Sequence, residues 1–168
     1  QLCNFTNKAM PSSGPTSSII KSTNLKERYD KRSIGNGKLK DRKKQLPTYR
    51  ILPKSGLRAF PITLGTMSFG DADHFKAFGA SMSFEEAELI FKTYVDAGGN
   101  VIDTANYYQV GQSEEIVAAL IRKLDIDREN LIICTKYSFG MKNKPNHTGN
   151  HKKNMLRSVN ESLERLKT

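Results

Sequence analysis

Between residues 62 and 166 the apolar positions form short continuous runs and longer stripes with helical spacing, in alternation. The continuous runs predict strands at Ile62–Leu64, Val101–Thr104 and Leu131–Thr135. After each run, apolar residues recur at intervals of three and four, which predicts a helix with one face on the sheet. Strands and helices that alternate in this way are typical of a parallel sheet, so we expect an α/β fold.

The limits of the predicted helices follow from capping residues. Ser83 and Glu86 have the spacing of a capping box, which predicts the start of the first helix. Gly98 and Gly99 predict its end, and we expect the second helix to begin at about Ser113. The stripes expected to face the core are Ala87, Ile90, Phe91, Tyr94 and Val95 in the first helix, Ile116, Ala119, Leu120 and Ile121 in the second, and Met155, Leu156, Val159, Leu163 and Leu166 in the third.

The segments around these elements are predicted to form a leading hairpin and two loops. Two β-prone runs, Tyr49–Leu52 and Leu57–Ile62, flank a turn with a glycine and predict a leading β-hairpin. Residues 71–82 and 138–150 read as loops. Because the third strand is apolar throughout, we expect it to be covered on both faces, with Cys134 as a small core residue.

The charge is concentrated at one end of the chain. The formal net charge is +10, and residues 1–50 account for +9 of it, with 12 Lys or Arg and three acids. Residues 1–46 also lack apolar periodicity, so we expect a disordered basic tail ahead of a domain over residues 47–168. The run Lys38–Lys44 has the composition of a nuclear address or anionic-surface patch, but such runs are more often solvated. A nucleic-acid partner is therefore not expected, beyond nonspecific contacts of the tail.

Two further observations limit the setting of the protein. The sequence has only two cysteines, Cys3 and Cys134, which is not a disulfide framework and favours a reducing, cytoplasmic compartment. Its apolar runs are shorter than a membrane span, so we expect no membrane partner.

The candidate chemistry lies at the ends of the predicted strands. Thr66 follows the first strand, Asp103 ends the second and Lys136 ends the third, and parallel sheets bind ligands at these carboxyl ends. Tyr108 lies five residues after Asp103. An ammonium favours the phenolate form of a neighbouring tyrosine, and a carboxylate holds the lysine charged. Such a tyrosine can serve as the general acid in reduction of a carbonyl, with the hydride supplied by a cofactor.

These residues stand in blocks that resemble the aldo-keto reductase family, in the longer-looped class that includes aryl-alcohol dehydrogenases and potassium-channel β-subunits. The blocks span residues 48–168 and read YRILPKSGL, LGTMSFG, AGGNVIDTANYYQVGQSEE, RENLIICTKY and NMLRSVNESLERL. The pattern D-T-A-x-x-Y followed by G-x-S-E is the most specific part. The resemblance implies that Asp103, Tyr108 and Lys136 are catalytic, with Tyr108 rather than Tyr107 as the general acid.

The resemblance also implies a fold, a cofactor and a substrate class. The family fold is a TIM (β/α)₈ barrel that binds NADPH at its mouth and reduces small-molecule carbonyl compounds, and no metal is expected. Gly65, Thr66 and Met67, together with Asp103, are the implied cofactor-binding residues. About three β/α units and the hairpin are present, so we expect an N-terminal portion truncated before strand 4 and inactive by itself. The family's catalytic histidine would fall beyond Thr168, and none of His74, His147 and His151 matches it.

Each of these residues also has an ordinary structural interpretation. Asp103 would serve as a strand-end cap, Tyr107 as packing at the rim of the sheet and Lys136 as a solvated strand end. Three hypotheses for the whole chain stay open at this point: a carbonyl reductase, a non-catalytic NADPH-binding regulatory subunit, and a truncated inactive fragment. Turnover of a generic aldehyde would separate the first from the others.

Overall fold

The computed structural model describes residues 48–168, so the expectation for residues 1–46 lies outside the described part. The strands are β1 (Arg50–Ile51), β2 (Arg58–Ala59), β3 (Leu64–Gly65), β4 (Val101–Asp103) and β5 (Ile132–Cys134). The α-helices are α1 (Asp73–Lys76), α2 (Phe84–Asp96), α3 (Gln112–Lys123) and α4 (Lys152–Leu166), with 3₁₀ turns at Tyr108–Gly111 and Arg128–Asn130. Within residues 48–168, none of the helices combines the length and the apolar character needed to span a membrane.

The leading hairpin is confirmed, although its strands are shorter than predicted. Strands β1 and β2 pair antiparallel, with Arg50 opposite Ala59. The side chain of Asn100, just before β4, accepts from Phe60 N at 2.8 Å and donates to Arg58 O at 2.9 Å. These bonds attach the hairpin to the amino-terminal end of the sheet, opposite the end where the candidate residues lie.

The three-stranded parallel sheet is also confirmed. Its order is β3-β4-β5, and β4 pairs in parallel with both neighbours. Strand β3 begins at Leu64 rather than at the predicted Ile62. The reason is that the hydroxyl of Tyr94 donates to the carbonyl of Ile62 at 2.7 Å, so this carbonyl is bonded to a side chain rather than to a strand.

Helices α2 and α3 cover one face of the sheet and enclose the core. The predicted capping box is present: Ser83 Oγ accepts from Glu86 N at 3.2 Å and Glu86 Oε2 accepts from Ser83 N at 2.9 Å. Ile90 was expected in the core but lies on the exposed side of α2, so the buried stripe is narrower than predicted. The core cluster consists of Phe69, Ala87, Phe91, Ile102, Val117, Leu120 and Leu166.

Helix α4 buries a different face from the one predicted. Apart from Leu166 its buried residues are polar, namely Asn154, Ser158 and Ser162. The predicted stripe of Met155, Leu156, Val159 and Leu163 is exposed by 37–52%. An apolar stripe shows which face of a helix is suited to packing. Within the described residues, however, α4 packs against α3 through its polar face, so the prediction was wrong.

Two smaller predictions were also wrong. The segment 71–82, expected as a loop, contains the one-turn helix α1. The third strand is not covered on both faces: Ile133 packs against the core cluster, whereas Cys134, which the alternation of a strand places on the opposite face, is exposed. The segment 138–150 has no helix or strand, as expected.

Candidate active site

The parallel pairing of β4 and β5 brings two candidate side chains to one end of the sheet. Asp103 is the last residue of β4 and lies opposite Cys134, the last residue of β5. Lys136 follows two residues later, so both side chains project at the carboxyl ends of neighbouring strands. Tyr108 begins the 3₁₀ turn that connects β4 to α3.

These three side chains are in direct contact. Lys136 Nζ donates to both carboxylate oxygens of Asp103 at 2.8 Å, to Thr104 O at 2.9 Å and to the hydroxyl oxygen of Tyr108 at 3.1 Å. The ammonium also lies 4.7 Å from the centroid of the Tyr108 ring. The predicted ion pair between Asp103 and Lys136 is therefore confirmed.

The environment of the ion pair is partly solvated. The side chains of Lys136 and Asp103 are 48% and 37% exposed. Burial by itself would lower the pKa of Lys136, but the hydrogen bonds and charges of Asp103 and Tyr108 outweigh it and raise that pKa above the ordinary lysine value. An ion pair exposed to this extent contributes little to stability, so its main effect is to fix a charged ammonium beside the Tyr108 hydroxyl.

The raised pKa of Lys136 predicts an alkaline dependence of stability. Because the folded state holds this proton more tightly than the unfolded state, the stabilisation is fully present below the ordinary lysine pKa and is lost as pH rises through the folded value. We expect Lys136→Met to lower the unfolding midpoint in urea, which is uncharged and does not screen the pair, by a small amount at pH 8, with a difference from the parent protein that narrows toward pH 11. A difference that grows with pH would contradict this assignment.

A buried hydroxyl network holds the strand ends below the ion pair. Thr66 Oγ1 lies 2.8 Å from Ser113 Oγ and donates to Asp103 O at 3.2 Å. Ser113 Oγ donates to Thr66 O at 2.7 Å and lies 3.2 Å from Thr104 Oγ1. The network joins the ends of β3 and β4 to the first turn of α3. Sequence reasoning missed the role of Ser113, although its place in the G-x-S-E pattern was the available signal.

The four residues expected to bind the cofactor differ in their access to the mouth of the sheet. Thr66 is fully buried and its hydroxyl is occupied by the network. Gly65 and Met67 are exposed, and Gly65 lies opposite Asp103 in the register of β3 and β4. Gly65 and Met67 are thus accessible beside Asp103, whereas the buried Thr66 stabilises the end of β3 through its hydrogen bonds. Cofactor binding by these residues stays a prediction.

The turn that carries Tyr108 has an unusual backbone that the sequence did not reveal. Gln109 and Val110 both have left-handed backbone angles, with φ of 51° and 55°. The buried side chain of Gln109 donates to Met67 O and Ala80 O and accepts from Ala72 N. These bonds clamp the loop after β3 against the turn, which stabilises a strained conformation next to Tyr108.

Tyr107 packs at the rim, as predicted, rather than joining the ion pair. Its ring centroid lies 5.8 Å from that of Phe75 and 5.6 Å from that of Phe139. Within the described residues, the hydrogen-bond partners of Lys136 Nζ include Tyr108 but not Tyr107. The structure therefore distinguishes two adjacent tyrosines by position.

A second ion pair, missed by sequence reasoning, lies beneath the site. Glu114 is fully buried; its Oε2 accepts from Arg165 Nε at 2.6 Å, and its Oε1 accepts from Thr135 Oγ1 at 2.6 Å. The carboxylate therefore joins α3 to α4 and to the residue that precedes Lys136. Because acids are common in the first turn of a helix, the sequence gave no indication that Glu114 forms a buried ion pair.

The known proteins to which this chain is similar share one family description. Residues 61–168 match the model of the "Aldo/keto reductase family". Among similar curated proteins, aldo-keto reductase ausK of Aspergillus calidoustus is 37% identical over 132 residues, or 74% of this chain and 33% of its own length. An aryl-alcohol dehydrogenase of Phanerodontia chrysosporium, named with NADP(+), is 36% identical over 71% of this chain and 33% of its own length.

A solved structure shows the same fold. A protein of Pseudomonas aeruginosa assigned to the aldo-keto reductases superimposes with a TM-score of 0.56 and 32% identity, over 71% of this chain and 42% of its own. The chain spans about a third of the length of most of the curated relatives it matches. The similarity confirms the predicted fold class, an N-terminal portion of a TIM barrel with about three β/α units and a leading hairpin.

Proposed function

Because this chain belongs to the aldo/keto reductase family, we propose that it supplies catalytic residues for NADPH-dependent reduction of aldehydes and ketones to alcohols. The observation that carries the proposal is the contact of a single ammonium, that of Lys136, with both the Asp103 carboxylate and the Tyr108 hydroxyl. The names of its relatives, which are reductases and alcohol dehydrogenases, support an oxidoreductase.

The three side chains have distinct roles in the proposed reaction. The Tyr108 hydroxyl hydrogen-bonds the carbonyl oxygen of the substrate and gives it a proton as negative charge develops there. The Lys136 ammonium, 3.1 Å from that hydroxyl oxygen, stabilises the phenolate that remains. Asp103 holds the ammonium through both carboxylate oxygens and keeps it charged and oriented.

The residues at the mouth fit a nicotinamide cofactor in this role. Gly65, Met67 and Asp103 offer accessible surface on adjacent strand ends, and glycine leaves the backbone of β3 open, with no neighbouring atom within 4 Å of a Cβ built there. We propose that these residues hold the nicotinamide end of NADPH. When bound, the cofactor supplies the hydride that no side chain can donate.

A second candidate function is that residues 1–168 alone bind NADPH without reducing a carbonyl compound. The observation that favours it is that, within residues 48–168, β5 pairs with β4 alone, and Cys134 at its end and Thr135 and Lys136 just after it are exposed. An exposed edge leaves one side of the site to solvent, and reduction is favoured by exclusion of water. In this case residues 1–168 would bind NADPH without reducing a carbonyl compound.

NADPH oxidation separates the two candidates. We expect the full polypeptide that carries this sequence to oxidise NADPH when a nitrobenzaldehyde is added, with loss of absorbance at the nicotinamide band and formation of the alcohol. Residues 1–168 alone serve as the matched comparison. Binding of NADPH by residues 1–168 without turnover would support the second candidate, whereas binding by the full polypeptide without turnover of the aldehyde would contradict the reductase proposal and indicate a non-catalytic NADPH-binding protein.

A further inference from the structure

We infer that Gln109 is a positioning residue for the proposed reaction, which fixes the place of the Tyr108 hydroxyl beside Lys136. The inference rests on the proposed function and adds one residue to it. The side chain of Gln109 is fully buried, so it cannot touch a substrate. Its effect on the reaction is therefore exerted through Tyr108, the residue that precedes it.

The contact between Tyr108 and Lys136 needs both of its ends held in place. Asp103 holds the ammonium end through both carboxylate oxygens. At the other end, and within residues 48–168, the Tyr108 hydroxyl hydrogen-bonds Lys136 Nζ, at 3.1 Å, and no other group. The position of the phenol therefore depends on the backbone that carries it, which is the turn after β4.

The backbone of this turn is in a disfavoured conformation. Gln109 and Val110 are both left-handed, with φ of 51° and 55°. For a β-branched residue such as valine this conformation is a genuine outlier. Val110 is also 52% exposed, so its own packing compensates little. Strained turns persist only where surrounding contacts hold them, so a contact near Tyr108 must supply that restraint.

The amide of Gln109 supplies the restraint. Its Nε2 donates to Met67 O at 2.9 Å and to Ala80 O, and its Oε1 accepts from Ala72 N at 3.1 Å. Both donor hydrogens are thus used, and the three partners are all main-chain groups of the segment after β3. Because a buried amide without its partners is costly, these bonds keep Gln109 in one position.

The segment after β3 also fits closely around this side chain. A Cβ built on Gly70 would lie 2.9 Å from Cβ and from Cγ of Gln109, which is too close for an ordinary contact. The main chain at Gly70 therefore lies directly against Gln109. Shape and hydrogen bonds together fix Gln109, and with it the backbone of Tyr108.

A second glutamine on the same segment provides a matched comparison. Gln112 Oε1 accepts from Asp71 N at 3.0 Å, so Gln112 also attaches the segment after β3. Gln112 is the first residue of α3 and has a regular helical backbone, with φ of −57° and ψ of −34°. If attachment of the segment were all that mattered, loss of either glutamine amide should have the same effect on the reaction.

The test is a double-mutant cycle in the full polypeptide, with NADPH and a nitrobenzaldehyde as substrates. Gln109→Met, Tyr108→Phe and the combined variant are compared with the parent protein and with Gln112→Met. Methionine has about the length of glutamine but no N–H donor. The kcat, the KM for the aldehyde and the dissociation constant of NADPH are measured for each protein.

The expected loss depends on the presence of the Tyr108 hydroxyl. Gln109→Met should lower kcat about 10-fold and change the dissociation constant of NADPH less than two-fold, because small displacements of a reacting group are costly. In the Tyr108→Phe background the same substitution should lower kcat less than about two-fold, since the hydroxyl that Gln109 positions is absent. Gln112→Met should have an equally small effect. A residue that served the fold alone would lower kcat by the same factor in both backgrounds.

Two outcomes would overturn the inference: equal factors of loss in the two backgrounds, and an unchanged kcat in Gln109→Met. If Gln109→Met fails to fold, Gln109→Asn, which keeps the amide on a shorter side chain, is carried through the same cycle.

A crystal structure of the Gln109→Met variant gives a readout that needs no turnover. If the parent protein reduces no aldehyde, the proposed function fails and this structure decides the inference separately. Displacement of the Tyr108 hydroxyl beyond hydrogen-bonding distance of Lys136 Nζ would support the inference. A separation that stays at 3.1 Å would refute it.

Discussion

Tyr108→Phe is expected to lower the carbonyl reductase rate of the full polypeptide by about 100-fold or more, which is the range that a general acid contributes. The substitution removes the hydroxyl that Lys136 contacts at 3.1 Å but keeps the ring whose centroid lies 4.7 Å from the ammonium. NADPH binding should be nearly unchanged, because in the proposed reaction the hydroxyl acts on the substrate carbonyl rather than on the cofactor. Steady-state rates and the dissociation constant for NADPH, measured by nicotinamide fluorescence, check both parts.

The neighbouring tyrosine provides the matched control for this prediction. Tyr107→Phe also removes one phenolic hydroxyl, but the ring of Tyr107 packs against Phe75 and Phe139 rather than against Lys136. We expect its effect on the rate to be small. Equal losses from the two substitutions, or an active Tyr108→Phe variant, would mean that the general acid is wrongly assigned.

The candidate site was predictable because its residues follow strand ends. Apolar runs located β4 and β5, and the parallel arrangement requires Asp103 and Lys136 to meet at one end. The choice between Tyr107 and Tyr108 depended on resemblance to the spacing of a known family, since the two phenols are chemically alike. The structure distinguishes them by their contacts, because the Tyr108 hydroxyl lies 3.1 Å from Lys136 Nζ whereas the Tyr107 ring packs against Phe75 and Phe139.

The buried position of Thr66 shows why other parts of the site could not be predicted. A threonine after a strand is equally compatible with an exposed ligand contact and with a buried bond. The outcome depends on Ser113, 47 residues later, whose hydroxyl lies 2.8 Å from that of Thr66. Side-chain pairing at such a separation is decided by tertiary packing and leaves no periodic pattern in the sequence.

Helix α4 shows the same limit for packing. Its apolar stripe predicted the buried face, but Asn154 instead donates to Tyr137 O at 3.1 Å and Gly149 O at 2.8 Å, which ties the helix to the loop after β5. Ser158 and Ser162 are small enough to be buried on the same side. Periodicity thus identified a helix correctly, whereas the face in contact with the fold was set by hydrogen bonds that an amphipathic pattern does not record.

The ion pair between Glu114 and Arg165 should have the largest effect on stability. Glu114→Gln keeps the shape but removes the negative charge, so that Arg165, 17% exposed, has no charged partner at this position. Removal of one member of a buried pair costs about 3–5 kcal/mol of unfolding free energy, and the partial exposure of Arg165 places the expected loss near 3 kcal/mol. The control is Lys92→Met, which breaks an ion pair with the same 2.6 Å separation between Lys92 Nζ and Asp96 Oδ2.

The control should lose less than about 1 kcal/mol, because Lys92 and Asp96 are both more than half exposed and water already screens their charges. Guanidinium denaturation of the three proteins gives the comparison. If Glu114→Gln fails to fold, the double variant Glu114→Leu/Arg165→Leu should recover much of the loss, since it removes both charges together. Equal losses from the exposed and the buried pair, or no recovery in the double variant, would show that burial of Glu114 is not what makes the pair important to the fold.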